Sequence, residues 1–301
     1  MIWDLDMMKQ ELHNRADAAE KFLQQYMLKE TTFPPSLHEA MAYTVFSGGK
    51  RIRPILVLEG AKLANWPAEN AAPFACALEL IHTHSLVHDD LPAMDNDDYR
   101  RGKLTCHKVY GEALAILTGN ALLTLGFQLI SDHKNIAQLP QQAVLQVVCE
   151  LAEAIGSRGM IGGQTLDLEA EGQQVSLEQL QIIHELKTGR LIKAALRAGA
   201  IIGGMENNQL ECLNIYADNF GLAFQITDDI LDIKGDAEIL GKPLGSDVQN
   251  NKCTYPSILG LERAQEKARL CVFHCQQSLE SFGPEADFLR NLASYLLVRQ
   301  N

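Results

Sequence analysis

The chain has 301 residues, 47% of them hydrophobic, 21% charged and 6% aromatic, with a formal charge of −12 and a pI near 5.2. That length and apolar content can bury one large core, and no linker or shift in composition divides the chain, so a single domain over residues 1–301 is expected. The acidic balance argues against nucleic acid or an anionic membrane as the partner surface, and any anionic substrate must be drawn in by local positive charge.

Ala, Leu, Glu and Gln dominate, and apolar residues recur at helical spacing. The pattern predicts helices at about 5–28, 53–64, 70–91, 111–132, 141–155, 207–233 and 262–281. Pro34-Pro35-Ser36 opens another that Gly48-Gly49 closes, and Ser176 with Gln179 makes a capping-box start for a helix running towards Gly203-Gly204. No strand is predicted. So many helices on short links make an all-α helical bundle. The seven cysteines show no paired C-x-x-C spacing, and the start MIWDLDMMKQ is acidic and lacks an apolar run, which points to a reducing cytoplasm. No stretch reads as an uninterrupted membrane-spanning segment, so membrane insertion is not expected.

Two aspartate clusters interrupt this pattern. Asp89-Asp90-Leu91-Pro92-Ala93-Met94-Asp95-Asn96-Asp97-Asp98 ends an apolar helix, a place where packing alone would not ask for carboxylates. Carboxylate oxygens suit a hard cation, and Mg²⁺ is usually held by one or two of them while substrate phosphates supply other ligands. In the second cluster, Asp228-Asp229-Ile230-Leu231-Asp232, Asp228 and Asp232 stand four apart, on one helix face, where like charges repel unless a cation lies between them. Asp89 and Asp95 are six apart and cannot share a face of an undistorted helix, so the chain around Pro92 must break or bulge to bring both to one ion.

Positive charge comes in short bursts, Gly48-Gly49-Lys50-Arg51-Ile52-Arg53-Pro54 and Tyr99-Arg100-Arg101-Gly102-Lys103, with Lys187-Thr188-Gly189, Lys242 and Lys252 beyond them. A glycine pair lets the backbone approach an anion, Arg offers forked donors matched to phosphate oxygens, and Lys a mobile point charge. His88 and His107 lie near the first aspartates, but the surrounding lysines and arginines fit phosphate better than a zinc site.

In order, GGKRIRP, DDLPAMDNDD-YRRG, GQTLDL, KTG, FQITDDILD, GK and NNKCTYP resemble the trans-prenyl diphosphate synthase family, specifically its bacterial short-chain farnesyl group, over roughly residues 36–260. The resemblance implies the isoprenoid synthase fold, a helical bundle around a central substrate cavity. Asp89, Asp90 and Asp95 then match the first metal-binding motif and Asp228, Asp229 and Asp232 the second, binding three Mg²⁺ ions with substrate present, or Mn²⁺ in their place. Gly49, Lys50, Arg53, His82 and Arg101 match positions around the diphosphate of isopentenyl diphosphate. Arg100, Lys187, Lys242 and Lys252 match those around the allylic diphosphate, Thr188 and Gln225 pocket residues near the reacting carbon, and Gln164 and Asp167 polar lining between the clusters. A homodimer is implied as well.

Product length should be set one helical turn below Asp89, at Ser85 and His84. In the family an aromatic residue five before the first aspartate stops growth at fifteen carbons; here that residue is His84, shorter than the usual Tyr or Phe. Farnesyl diphosphate is the expected product, with geranylgeranyl diphosphate as the alternative. A terpene cyclase shares the bundle and one aspartate motif but needs no second phosphate clamp, and a non-catalytic helical subunit would have lost metal or phosphate residues.

Overall fold

The computed structural model describes residues 3–234 and 253–299, so Lys242 and Lys252 lie outside the described residues. In chain order come α1 (Leu5–Tyr26), α2 (Pro35–Val45), α3 (Ile52–Leu63), α4 (Ala68–Asp89), a hairpin of β1 (Tyr99–Arg100) and β2 (Lys103–Leu104), α5 (Cys106–Tyr110), α6 (Glu112–Ser131) and α7 (His133–Ile136). They are followed by α8 (Gln141–Ile155), α9 (Met160–Ala170), α10 (Leu177–His184), a π-helical turn (Glu185–Gly189), α11 (Arg190–Ile202) and α12 (Asn207–Lys234). After the undescribed segment come α13 (Tyr255–Leu259), α14 (Leu261–Ser278), a 3₁₀ turn (Pro284–Ala286) and α15 (Asp287–Tyr295). The architecture is the all-α bundle expected.

The bundle is organised around α4, whose Phe74, Leu78 and Ile81 are fully buried between α6 on one side and α3 on the other. Backbone approach decides the tightest crossing. A Cβ at Gly60 of α3 would lie 2.2 Å from the Leu196 carbonyl oxygen, and one at Gly199 of α11 would lie 1.9 Å from that of Val57, so this helix pair closes to main-chain contact only because both positions lack side chains. On the far side α11 packs on α12, and α12 on α14. All seven cysteines are free.

Four features differ from the sequence reading. First, a hairpin is present: Arg101 and Gly102, at φ 53° and 76°, are the two left-handed residues of its tight turn, and Tyr43 Oη of α2 donates to Leu104 O at 2.7 Å to hold it down. Second, the helix expected from Ser176 to Gly203 is interrupted: its capping box is present, but Arg190 N–H donates to Glu185 O, five residues back, across a π turn. Third, α9 is a helix where none is predicted, and it begins in the glycine-rich stretch Gly159-Met160-Ile161-Gly162-Gly163. Its Gly163 is needed for contact, since a Cβ there would stand 2.2 Å from Lys187 N. Fourth, α6 does have the length and apolar composition of a membrane span, although Leu122, Leu125, Leu129 and Ile130 are buried and the helix packs along α4.

Candidate active site

At the end of α4 the chain folds back on itself. Asp90 N–H still donates to Leu86 O, but Asp95 N–H donates to Asp89 O at 2.9 Å, so a turn closed through left-handed Asn96 lays Asp95 beside Asp89 despite the six-residue spacing. Burial pushes the Asp89 carboxyl up to about 6; Lys187 and Arg100 oppose that shift, and Asp95 and Asp90 reinforce it. Asp90 is buried, which raises it, while Arg100 Nε holds it at 2.6 Å.

In the second cluster Asp228 reaches solvent and Asp229 and Asp232 are buried. A reciprocal capping box between Thr254 and Ser257 starts α13, and the first free donor of that helix, Tyr255 N–H, points at Asp229 Oδ2, 2.8 Å away. Among the described residues no group of three His, Cys, Asp or Glu converges closely enough to hold an ion alone. The donors are all carboxylates, divided between two helix segments, and a charge-crowded Asp89 is what a cation would relieve; such a set fits Mg²⁺ completed by phosphate oxygens.

Because the Asp89 proton must leave before a cation enters, metal affinity is expected to fall about tenfold per pH unit below pH 6. Mn²⁺ titration followed by electron paramagnetic resonance checks this, and a flat profile would remove Asp89 from the ligand set. The sign for the metal-free fold is opposite. With its pKa raised above the ordinary carboxylate value, folded Asp89 takes up its proton before the unfolded chain does, so stability rises as pH falls from above 6 towards 4.

Cations assemble on the other side. Gly48 and Gly49 turn with φ 96° and 132°, and a Cβ at Gly49 would lie 2.5 Å from the Arg101 guanidinium, which donates to Gly48 O. The glycine pair is thus the seat on which the hairpin rests. A cavity of about 250 Å³ opens beside it, walled by Lys50, Arg53, Glu79, His82, Arg101 and Phe224 among others. Desolvation by the pocket walls, then the charge of Arg299, draws the Lys50 ammonium down to about 8 although the residue as a whole is exposed, with Asp228 opposing. Burial lowers Arg53 to about 10 against the pull of Glu79. Burial and four neighbouring arginines keep His82 neutral, well below its ordinary value. Arg53 Nε and His82 Nδ1 are buried without partners, as expected of a pocket built for an anion.

Two residues here have roles that the sequence analysis does not give them. Arg51 turns inward, left-handed at φ 51° and buried, and binds Glu79 at 2.5 Å, Glu20 at 2.9 Å and the Val45 carbonyl. Glu79, itself buried, is the lone acid in the apolar run ALELI of α4, and that isolation was the available signal.

The π turn supplies the third wall. Lys187 Nζ meets Asp167 of α9 at 2.6 Å, and Thr188 Oγ1 donates to Gln225 Oε1 of α12 at 2.8 Å. Gly163 and Gly221 let α9 and α12 close on this turn, since a Cβ at Gly221 would lie 3.1 Å from Gly189 Cα. Gln164 Nε2 is buried without a partner. Arg299, also unforeseen, is buried against Phe224 and donates to Thr227 Oγ1 at 2.8 Å and to Asp228; it lies 71 residues from that aspartate, with no local pattern to reveal it. Ser85 Oγ donates to His82 O, and His84 is buried with its ring against His88. His107 is buried, and its Nδ1 lies 3.1 Å from Thr105 Oγ1.

A polyprenyl synthetase family model matches residues 34–281. The chain belongs to the polyprenyl synthetase family. Among members of this family it is 44% identical to the farnesyl diphosphate synthase of Geobacillus stearothermophilus, over 97% of this chain and 98% of that one. It is also 44% identical to the geranylgeranyl diphosphate synthase of Cyanophora paradoxa, over 89% of each. A crystal structure of a geranyltransferase from Legionella pneumophila superposes with a TM-score of 0.86 at 35% identity, covering 98% of this polyprenyl synthetase and 99% of that chain.

Proposed function

We propose that this prenyltransferase condenses isopentenyl diphosphate with dimethylallyl and geranyl diphosphates to give (E,E)-farnesyl diphosphate and diphosphate. The observation that carries the reading is the adjacency of two oppositely charged compartments. Lys50, in the cationic cavity, feels the charge of Asp228, and Lys187, at the opposite wall, feels that of Asp89, so two anionic substrates have separate seats within reach of one another. A terpene cyclase would leave the first seat without a purpose.

Lys50, Arg53, His82 and Arg101 would clamp isopentenyl diphosphate and fix its double bond, so that positioning supplies much of the rate. Mg²⁺, when bound by Asp89, Asp90, Asp95, Asp228, Asp229 and Asp232, supplies the charge that lets diphosphate leave the allylic carbon. Arg100 and Lys187 orient the departing group. The Thr188 to Gln225 hydrogen bond holds two side-chain oxygens beside the carbon that becomes positive, stabilising it without a protein nucleophile. The released diphosphate is the proposed acceptor of the final proton.

Chromatography of products from protein, Mg²⁺, isopentenyl diphosphate and each of dimethylallyl, geranyl and farnesyl diphosphate tests the reading. A fifteen-carbon product with farnesyl diphosphate refused is expected. A twenty-carbon product would move the chain to the geranylgeranyl synthases, and no elongation with any starter would end the prenyltransferase assignment. We also expect a homodimer, and Ile116 and Leu117 of α6 and Leu145 of α8 are exposed apolar side chains that a partner could cover.

A further inference from the structure

We propose that the end stop of the prenyl-tail pocket is a two-histidine wedge in which His88 is the specificity-determining positioning residue for His84. The proposal rests on the reading above that His84 limits chain growth. His84 and His88 stand four apart on α4, one turn over the other on the side turned to α6. Their rings meet edge to face with centroids 4.5 Å apart, within the range of favourable ring pairs.

His88 is anchored in turn. Its Nε2–H donates to Ile116 O at 3.2 Å, and the same nitrogen lies over Gly119, where a Cβ would stand only 2.2 Å from it. Gly119 is helical, so its use here is space rather than backbone freedom. His84 is buried with Nδ1 unpartnered, so apart from a main-chain contact at Gly119 its ring is fixed by packing on His88. A short imidazole can act as a floor only if it is prevented from swinging aside, and a buried ring wedged between a second ring and a helix turn has no such freedom. Gly119 therefore takes part in product length although it lies on a different helix from the floor residue.

The test is the ratio of twenty- to fifteen-carbon product from Mg²⁺, isopentenyl diphosphate and geranyl diphosphate, a ratio that a general loss of activity does not move. His84→Ala and His88→Ala are both expected to raise it about tenfold, the size of discrimination an apolar contact provides. His88→Phe, which keeps a ring, should stay near the parent value. Gly119→Ala, whose Cβ would stand 2.2 Å from His88 Nε2, displaces the His88 ring and should shift the ratio; it serves as the independent variant if His88→Ala does not fold. If His84→Ala lengthens the product while His88→Ala and Gly119→Ala leave it unchanged, His84 acts alone and the proposal is overturned. If His84→Ala itself has no effect, the floor reading fails first and takes the wedge with it.

Discussion

Asp89→Asn is expected to lower kcat by about a thousandfold or more, on the order of 4 kcal/mol in the barrier, while the protein keeps or slightly raises its melting temperature. The two halves of that result have one cause. Asp89 is half-buried beside Asp95 and Asp90, and its carboxyl is already driven up to about 6 by burial, so the ionised form is a burden on the metal-free fold and a neutral amide is tolerated there. The charge is held for a cation. Steady-state kinetics with saturating Mg²⁺, alongside differential scanning fluorimetry without it, separates the effects. A variant that loses activity and stability together would mean that Asp89 is a structural residue.

Glu79→Ala is expected to do the reverse, striking the fold hardest. Removing Glu79 leaves Arg51, buried and with only Glu20 remaining as an acidic partner, with a charge it cannot hydrate, at a cost of about 3–5 kcal/mol. For a chain of this size that lowers Tm by about 10 °C. The Km for isopentenyl diphosphate should rise as well, because Glu79 also faces Arg53 and Arg101, and its loss frees three guanidinium groups to repel one another. Arg51→Met combined with Glu79→Leu should recover most of the stability, since apolar replacement of a buried ion pair is often neutral, yet leave Km high. Recovery of both would reduce the pair to packing, and persistent instability would place its importance in shape rather than charge.

The parts of this molecule legible in sequence are those where a local pattern has one physical meaning. α8 runs from Gln141 to Ile155 as its periodicity predicts, and Asp228 and Asp232 share a helix face because four residues make about one turn. Where a pattern had two meanings the reading went astray. The sequence pattern predicts no helix over α9, since glycine weakens helices, but Gly163 is there so that the main chain of Lys187 can touch it. The π turn was invisible because the sequences on both sides are helical and one additional residue changes no composition. The hairpin carrying Arg100 and Arg101 has too few residues per strand to show alternation. Arg299 and Glu20 reach the site from distant parts of the chain, and nothing in their neighbourhoods marks them.

The π turn also bears on how this chain can vary over evolutionary time. The Gly60 and Gly199 crossing locks the rotation of α11 against α3, so a change of length upstream cannot be absorbed by turning α11 about its axis. The surplus residue between Glu185 and Gly189 lies inside the continuous helical run that leads from α10 into α11. Deleting one residue there would restore a regular α-helix, rotate everything before it by about 100° and carry Lys187 away from Asp167. Substitutions on the outer face of α10 should drift freely in descendants of this sequence, whereas insertions and deletions between Leu177 and Arg190 should be purged, so that this stretch keeps its length more faithfully than its letters.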